Sequence, residues 1–174
     1  MDNIEIRKVT PKDIQQLQAI SKQTFFEAFS DVNTEEDMEK YLKESFTLEK
    51  LMTELNNNNS EFYFALHADQ IIGYLKLNFG ESQTELKDEE SLEIERIYVL
   101  PEFYGRNVGQ LFYTTAIRRA RELDVEYVWL GVWEDNRRAI SFYRKNGFVE
   151  FGKHLFMLGN DEQTDIMMKL QLKN

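Results

Sequence analysis

The chain has 174 residues, 42% hydrophobic and 30% charged, with a formal net charge of −10, a length that suits one domain over residues 1–174 and a balance that suits a folded globule. The absence of cysteine excludes disulfides, thiolate metal sites and cysteine nucleophiles. The acidic balance argues against a general nucleic-acid binder, and no apolar run approaches the ~20 residues of a membrane span or opens the chain as a signal core, so a cytoplasmic protein is expected.

"IEIRKVT" reads as a short strand. "TPKDIQQLQAISKQTFFEAF" opens with a Thr-Pro start signal and carries Ile14, Leu17, Ile20 and Phe25 on one side of a helix. "TEEDMEKYLKESF" is a second helix, capped by Thr34 with acidic residues in its first turn, where the helix dipole favours them. "LEKLMTEL" continues helical as far as the loop of Asn56, Asn57, Asn58 and Asn59. "EFYFALHADQIIGYLKLNF" reads as a hairpin around Ala68, Asp69 and Gln70. An acidic loop over 80–90 follows, then the strand "SLEIERIYV", a strand-to-helix turn, a long helix, the strand "EYVWLGVWE", and a helix closed by Asn146 and Gly147. "FVEFGKHLFML" and "TDIMMKLQL" end the chain as strands. Strands alternate with helices in the middle and pair as hairpins at the ends, which predicts a mixed α/β sheet.

The turn in "RIYVLPEFYGRNVGQLFYTTAIRRA" uses Pro101, Gly105 and Gly109 in a chain with only 8 Gly and 2 Pro. A helix N-terminus leaves its first N–H groups unpaired and partly positive. Gly105, Gly109 and Asn107 let those amides crowd together, since Asn tolerates a left-handed backbone better than most residues, and Arg106 adds a charge. These features suit a phosphate or pyrophosphate, although neither common phosphate-loop fingerprint is present. In the next strand, Gly131 sits where glycine weakens pairing unless something must approach closely. Asn136, Ala139, Ile140 and Tyr143 share one face of the following helix.

Residues 91–149 resemble the GNAT acetyltransferases, which move an acetyl group from acetyl-CoA to an amine. "IYVLPEF" is followed by a turn similar to the family's Q/R-x-x-G-x-G/A, with Tyr104 in place of Gln or Arg and Asn107 in place of Gly. Asn136, Ala139, Phe142, Tyr143, Gly147 and Phe148 match the later N-x-x-A-x-x-F-Y-x-x-x-G-F block. "SLEIERIYV" and the tail "GNDEQTD" further resemble the PaiA-like branch, which acetylates spermidine and spermine. The resemblance implies a mostly antiparallel central sheet flanked by helices, with the fourth and fifth strands splayed so that the pantetheine arm inserts between them. The main chain of Ile97, Tyr98 and Val99 would meet that arm, and Gly131 would leave space opposite. The turn from Tyr104 and Gly105 would lead into the amides of Arg106, Asn107, Val108, Gly109 and Gln110, which would hold the pyrophosphate. Tyr143 would be the acid for the CoA sulfur, Asn136 would contact CoA or orient the site, and Glu95 would be the base, acting through water. Glu93 is the second candidate base and acceptor contact, and Asp165 would meet a distal ammonium.

Other polar residues carry less. His67 and His154, each alone in a strand, read as structural and make no metal site. Trp129 and Trp133 read as core, and the run Asp88, Glu89, Glu90, Glu93, Glu95 as a solvated stretch that would attract a cationic amine if it bordered the acceptor groove. The expected partners are acetyl-CoA and a small cationic amine, with no metal, nucleic acid or membrane, and a homodimer is compatible with the resemblance. A different amine (a protein N-terminus, an amino acid, an aminoglycoside) and a CoA-binding regulatory module without turnover are the alternatives.

Overall fold

The computed structural model describes residues 3–173. Its elements run β1 (Ile4–Lys8), α1 (Ile14–Phe29), α2 (Glu35–Ser45), α3 (Leu48–Leu55), β2 (Ser60–His67), β3 (Gln70–Phe79), β4 (Ser91–Val99), α4 (Val108–Glu122), β5 (Tyr127–Trp133), α5 (Arg137–Lys145), β6 (Val149–Leu158) and β7 (Asp161–Gln171).

The local chemistry sets most boundaries. The Asp13 carboxylate accepts the Thr10 N–H at 3.0 Å, which fixes a 3-10 turn over Pro11–Asp13 ahead of α1. Thr34 caps α2 by accepting the Asp37 N–H at 3.1 Å, and Thr47 caps α3 by accepting the Lys50 N–H at 3.1 Å. Each such cap stabilises its helix by ~1 kcal/mol. The cap at Thr47 explains why the segment after Phe46 is a separate short helix. The β2–β3 hairpin turns on Ala68 (φ 48°) and Asp69 (φ 68°), between the pair His67 and Gln70; positive φ at both central residues matches the twist of the strands. The last hairpin is tighter than expected. Leu158 pairs directly with Asp161, so β7 begins three residues before Thr164.

Among the described residues, seven strands form one sheet in the order β1-β2-β3-β4-β5-β7-β6. Every neighbour pair is antiparallel except β4 and β5, which run parallel. Helices cover both faces. A Cβ at Gly73 of β3 would meet Phe112 of α4 at 3.3 Å, while the adjacent Tyr74 points the other way, toward Ser21 of α1. Phe62, Phe64, Tyr74 and Phe112 are completely buried between these layers, and burying each contributes ~1.5–3 kcal/mol.

Two further contacts position the functional region. Arg119 of α4 grips Glu61 of β2 through Nε at 2.8 Å and Nη2 at 2.7 Å, a paired fork that holds α4 and so fixes where its N-terminus lies. On the opposite face, Phe25 stacks on Tyr41 with centroids 4.4 Å apart, and Phe29 meets Trp133 of β5 at 5.3 Å. These rings tie α1 and α2 over the open half of the sheet. Among the described residues, no helix is long and apolar enough to cross a membrane.

Candidate active site

The central feature is a gap in the sheet. β4 and β5 pair from Ser91 with Tyr127 to Ile94 with Leu130, and then stop. Beyond that point β5 continues against β7, through Gly131 with Met167 to Trp133 with Asp165, while β4 continues against β3. A bulge marks the parting. Ile94 pairs with Leu77 and Arg96 with Lys76, which leaves Glu95 as the extra residue. Past the bulge the register settles which main-chain groups face the gap. Leu100 donates its N–H to Ile72 O at 2.8 Å. In an antiparallel ladder such pairs alternate, so Tyr98 bonds β3 while the N–H and C=O of Ile97 and Val99 point into the opening. The splay expected of the fourth and fifth strands is therefore present.

A helix start lies directly after β4. Pro101–Phe103 forms a 3-10 turn, followed by Gly105 at φ 79° and Asn107 at φ 70°, both left-handed. Asn107 thus adopts the glycine-like conformation that the sequence required of it. The first bond of α4 is Leu111 N–H to Asn107 O at 3.2 Å, so the amides of Val108, Gly109 and Gln110 precede any intrahelical acceptor. The Arg106 amide differs: it closes a turn onto Phe103 O at 3.4 Å, which removes it from the set of open amides. Gly105 has no atom within 4 Å of an added Cβ, whereas a Cβ on Gly109 would stand 3.7 Å from Phe142 of α5. Gly105 therefore serves the backbone conformation, while at Gly109 an added Cβ would make only ordinary contact with α5. Tyr104, 48% exposed, lies under the Arg138 guanidinium at 3.8 Å, a cation–π contact that joins the turn to α5. The turn fits a pyrophosphate: open amides at a helix start, no side chain over Gly105 and basic groups at its rim.

α5 supplies the next groups. Asn136 caps it, accepting the Ala139 N–H at 3.2 Å through Oδ1, which directs its Nδ2 to other contacts. Tyr143 is 4% exposed and packs on Phe142 and Phe148. Its hydroxyl has no hydrogen-bond partner among the described residues, and burial pushes the phenol well above its ordinary value, so it stays protonated at neutral pH.

On the other face, beneath α1 and α2, a cavity of about 270 Å³ reaches the gap. Aromatic rings from Phe25, Phe29, Phe46, Trp129 and Trp133 wall it, and Glu85, Glu93, Glu95 and Asp165 line it. Trp129, expected as core, is buried but forms part of this wall, with Nε1 donating to Gln83 Oε1 at 2.7 Å.

The carboxylates differ sharply. Glu95 accepts from Lys76 Nζ at 2.8 Å and from Asn78 Nδ2 at 2.8 Å, and pairs with Arg96 Nη2 at 2.9 Å. Burial alone would raise it, but the charges of Arg96 and Lys76 with these hydrogen bonds outweigh that and hold it at about 2. Glu54 of α3 completes the cluster, accepting from Lys76 at 2.5 Å and Arg96 at 2.8 Å. Glu93 is 3% exposed. It accepts from Thr84 N at 2.8 Å, Thr84 Oγ1 at 2.6 Å and Asn78 Nδ2 at 3.0 Å, yet burial dominates and raises it. It sits opposite Trp129 in the paired part of β4. Asp165 accepts no side-chain hydrogen bond among the described residues. Burial pushes it up, His154 pulls it down and Glu85 pushes it up, leaving it at about 6.

The structure thus brings Glu93, Glu95, Gly131 and Asp165 together at one cavity, with Arg96 and Tyr98 beside them. It separates the acidic run, since Asp88, Glu89 and Glu90 lie exposed in the loop. His154, expected to be structural, stands at the cavity rim with its Nδ1 against Oε1 of Glu85, a residue the sequence did not single out. Among the described residues, no group of three or more His, Cys, Asp or Glu is arranged to hold a metal.

Comparison with known proteins points one way. Residues 15–148 match the acetyltransferase (GNAT) family. The chain is 39% identical over 172 residues to an uncharacterized N-acetyltransferase in the pepI 3' region of Lactobacillus delbrueckii subsp. lactis, covering 99% of both chains. It is 26% identical over 150 residues to the spermidine N(1)-acetyltransferase of Thermoplasma acidophilum, covering 84% of this chain and 88% of that one. The crystal structure of the PaiA N-acetyltransferase from Thermoplasma acidophilum in complex with coenzyme A superposes with a TM-score of 0.79 at 23% identity, over 97% of this chain and 99% of that chain.

Proposed function

The chain belongs to the acetyltransferase (GNAT) family, as an acetyl-CoA-dependent N-acetyltransferase, and we propose that its acceptor is a primary amine of a polyamine such as spermidine or spermine. One observation carries the acceptor class: the cavity that opens onto the strand gap combines carboxylates with aromatic walls. A polyamine is a chain of methylenes between ammonium groups. Rings suit the methylenes, and carboxylates suit the ammonium groups, with cation–π contacts adding ~0.5–2 kcal/mol each. The name of the Thermoplasma acidophilum relative is consistent with this acceptor.

The chain's own groups divide the work. The open amides of Val108, Gly109 and Gln110 with the left-handed Asn107 would hold the pyrophosphate of acetyl-CoA. The Ile97 and Val99 main chain would pair with the pantetheine arm as a substitute strand, and a gap-facing N–H at Val99 would bond the acetyl oxygen as negative charge develops there. The ammonium form of the acceptor loses two protons as its nitrogen bonds the acetyl carbon and the carbon–sulfur bond breaks. One goes to a base and then to solvent. The other balances the proton that Tyr143 gives the leaving thiolate. Asn136 would steady the start of α5 and so the distance from Tyr143 to the gap. Glu95, the base expected from the sequence, lies in an ion-pair cluster that suits it better to shaping the cavity floor.

A thiol-release assay with acetyl-CoA and an amine panel tests this reading. Spermidine and spermine should be turned over well ahead of amino acids, aminoglycosides and peptide N-termini. Turnover of peptides with none of spermidine would overturn the acceptor class, and CoA binding without turnover of any amine would overturn the transfer itself.

A further inference from the structure

Resting on the amine-acetylation reading, we infer that Asp165 is the group that takes the acceptor's proton, and that His154 and Glu85 behind it carry that proton to solvent. Position is the first argument. Gly131 is the first residue of β5 beyond its last pair with β4. The Asp165 carboxylate leans over it, with Oδ2 3.4 Å from where a Cβ on Gly131 would stand. The carboxylate therefore packs directly against Gly131, at the point where the strands part. Glu93 lies deeper, in the paired region, and its oxygens are engaged by Thr84 and Asn78.

The second argument is availability. A carboxylate that accepts no side-chain hydrogen bond among the described residues keeps its lone pairs for a ligand. Lys76 and Arg96 are both bound to Glu54 and Glu95, so no committed cation holds Asp165 in its charged form. The groups facing it are Tyr41 of α2 and Tyr98 of β4, which both feel its charge, then His154 of β6 and Glu85 of the 80–90 loop. Glu93, Glu95 and Arg96 of β4 share the cavity. With Glu95 held at about 2 and Asp165 at about 6, proton transfer from an ammonium to Asp165 is roughly 10⁴-fold more favourable than to Glu95.

The third argument is the exit. His154 pairs with Asp165 across the β6–β7 ladder, which puts both side chains on one face. Its Nδ1 meets Glu85 Oε1, and the side chains of His154 and Glu85 are 39% and 33% exposed. Carboxylate, imidazole and carboxylate thus run from the gap to water. The ammonium proton moves to Asp165, leaving a neutral amine and a carboxylic acid; that proton then crosses through water to the His154–Glu85 pair at the rim and so to solvent, which returns Asp165 to its carboxylate.

Two measurements test this. The first follows the Asp165 carboxyl carbon of the free enzyme by NMR from pH 3 to 9, using Asp165→Asn for assignment. A midpoint near 6 that rises in His154→Gln supports the assignment, and a midpoint below about 4, the ordinary aspartate range, overturns it without reference to any acceptor. The second compares kcat/KM for spermidine against pH. Wild type should fall on the acid side below about pH 6, and Asp165→Asn should lose roughly 10²-fold at pH 7, lose that limb, and keep its calorimetric affinity for acetyl-CoA. His154→Gln should lose about tenfold and move the limb upward. Asp165→Asn with wild-type turnover and an intact limb would overturn the assignment while leaving acetyl transfer standing. A wild type that turns over no amine would remove the transfer reading and this assignment with it.

Discussion

Replacing Glu95 by Gln separates a cluster-forming carboxylate from a catalytic base. The Glu95 side chain is 17% exposed, and it meets Lys76, Arg96 and Asn78. Its carboxyl falls from an ordinary 4.5 to about 2. At about 1.36 kcal/mol per pH unit this corresponds to roughly 3 kcal/mol of folding stability at neutral pH. The sign follows from the direction. A carboxyl lowered on folding contributes fully above 4.5 and loses that contribution as pH falls through about 2. Glu95→Gln should therefore lower stability by roughly 3 kcal/mol at pH 7, and the difference from wild type should shrink to about half by pH 3. Lys76 and Arg96 would then share Glu54 alone, which leaves an excess of buried positive charge. Urea unfolding at both pH values measures the effect, and kcat for spermidine should fall by less than about tenfold at temperatures where the variant is folded. A variant of unchanged urea midpoint that loses 10²-fold or more in turnover would refute the reasoning and return Glu95 to the role of base.

Tyr143→Phe should lower turnover by about 10²-fold at neutral pH while calorimetric acetyl-CoA affinity stays within about twofold, because only the thiolate's proton donor is removed; since burial raises the phenol, wild-type activity should show no loss from Tyr143 ionisation below pH 10. Gly105→Ala should cost ~1 kcal/mol of stability from its φ of 79°, with no clash because the space is open, and should weaken acetyl-CoA binding as the turn relaxes; Asn107→Gly should bind as wild type by the same titration. Phe29→Ala removes the contact with Trp133 at 5.3 Å, and should lower stability by ~3 kcal/mol and raise KM for spermidine more than it lowers kcat.

The fold was legible in the sequence wherever a local device set an element. Thr34, the Ala68-Asp69 hairpin turn and Asn146-Gly147 each close or open an element by chemistry confined to a few residues, and the structure places them as read. The left-handed Asn107 was legible for the same reason. The site was less legible because it depends on charges brought from distant elements. Nothing near Glu95 in sequence announces Lys76, which lies on the preceding strand, or Glu54 of α3, and without them Glu95 reads as a free base. Gly131 was recognised as a bare position, but the residue packed against it, Asp165, comes from a strand more than thirty residues on. His154 reads as structural as long as the turn of the last hairpin is left open. With residues 159–163 read as loop, the last two strands had no fixed register. Reading Gly159 and Asn160 as a two-residue hairpin turn instead pairs Leu158 with Asp161, and stepping back four residues on each strand pairs His154 with Asp165. Cross-strand neighbours on one face lie within reach of each other, so an imidazole opposite a carboxylate could have been written down from the turn alone. A hairpin's turn thus decides which polar side chains meet far from it, and here it decides that the one strand histidine with a carboxylate opposite it stands at the mouth of the gap.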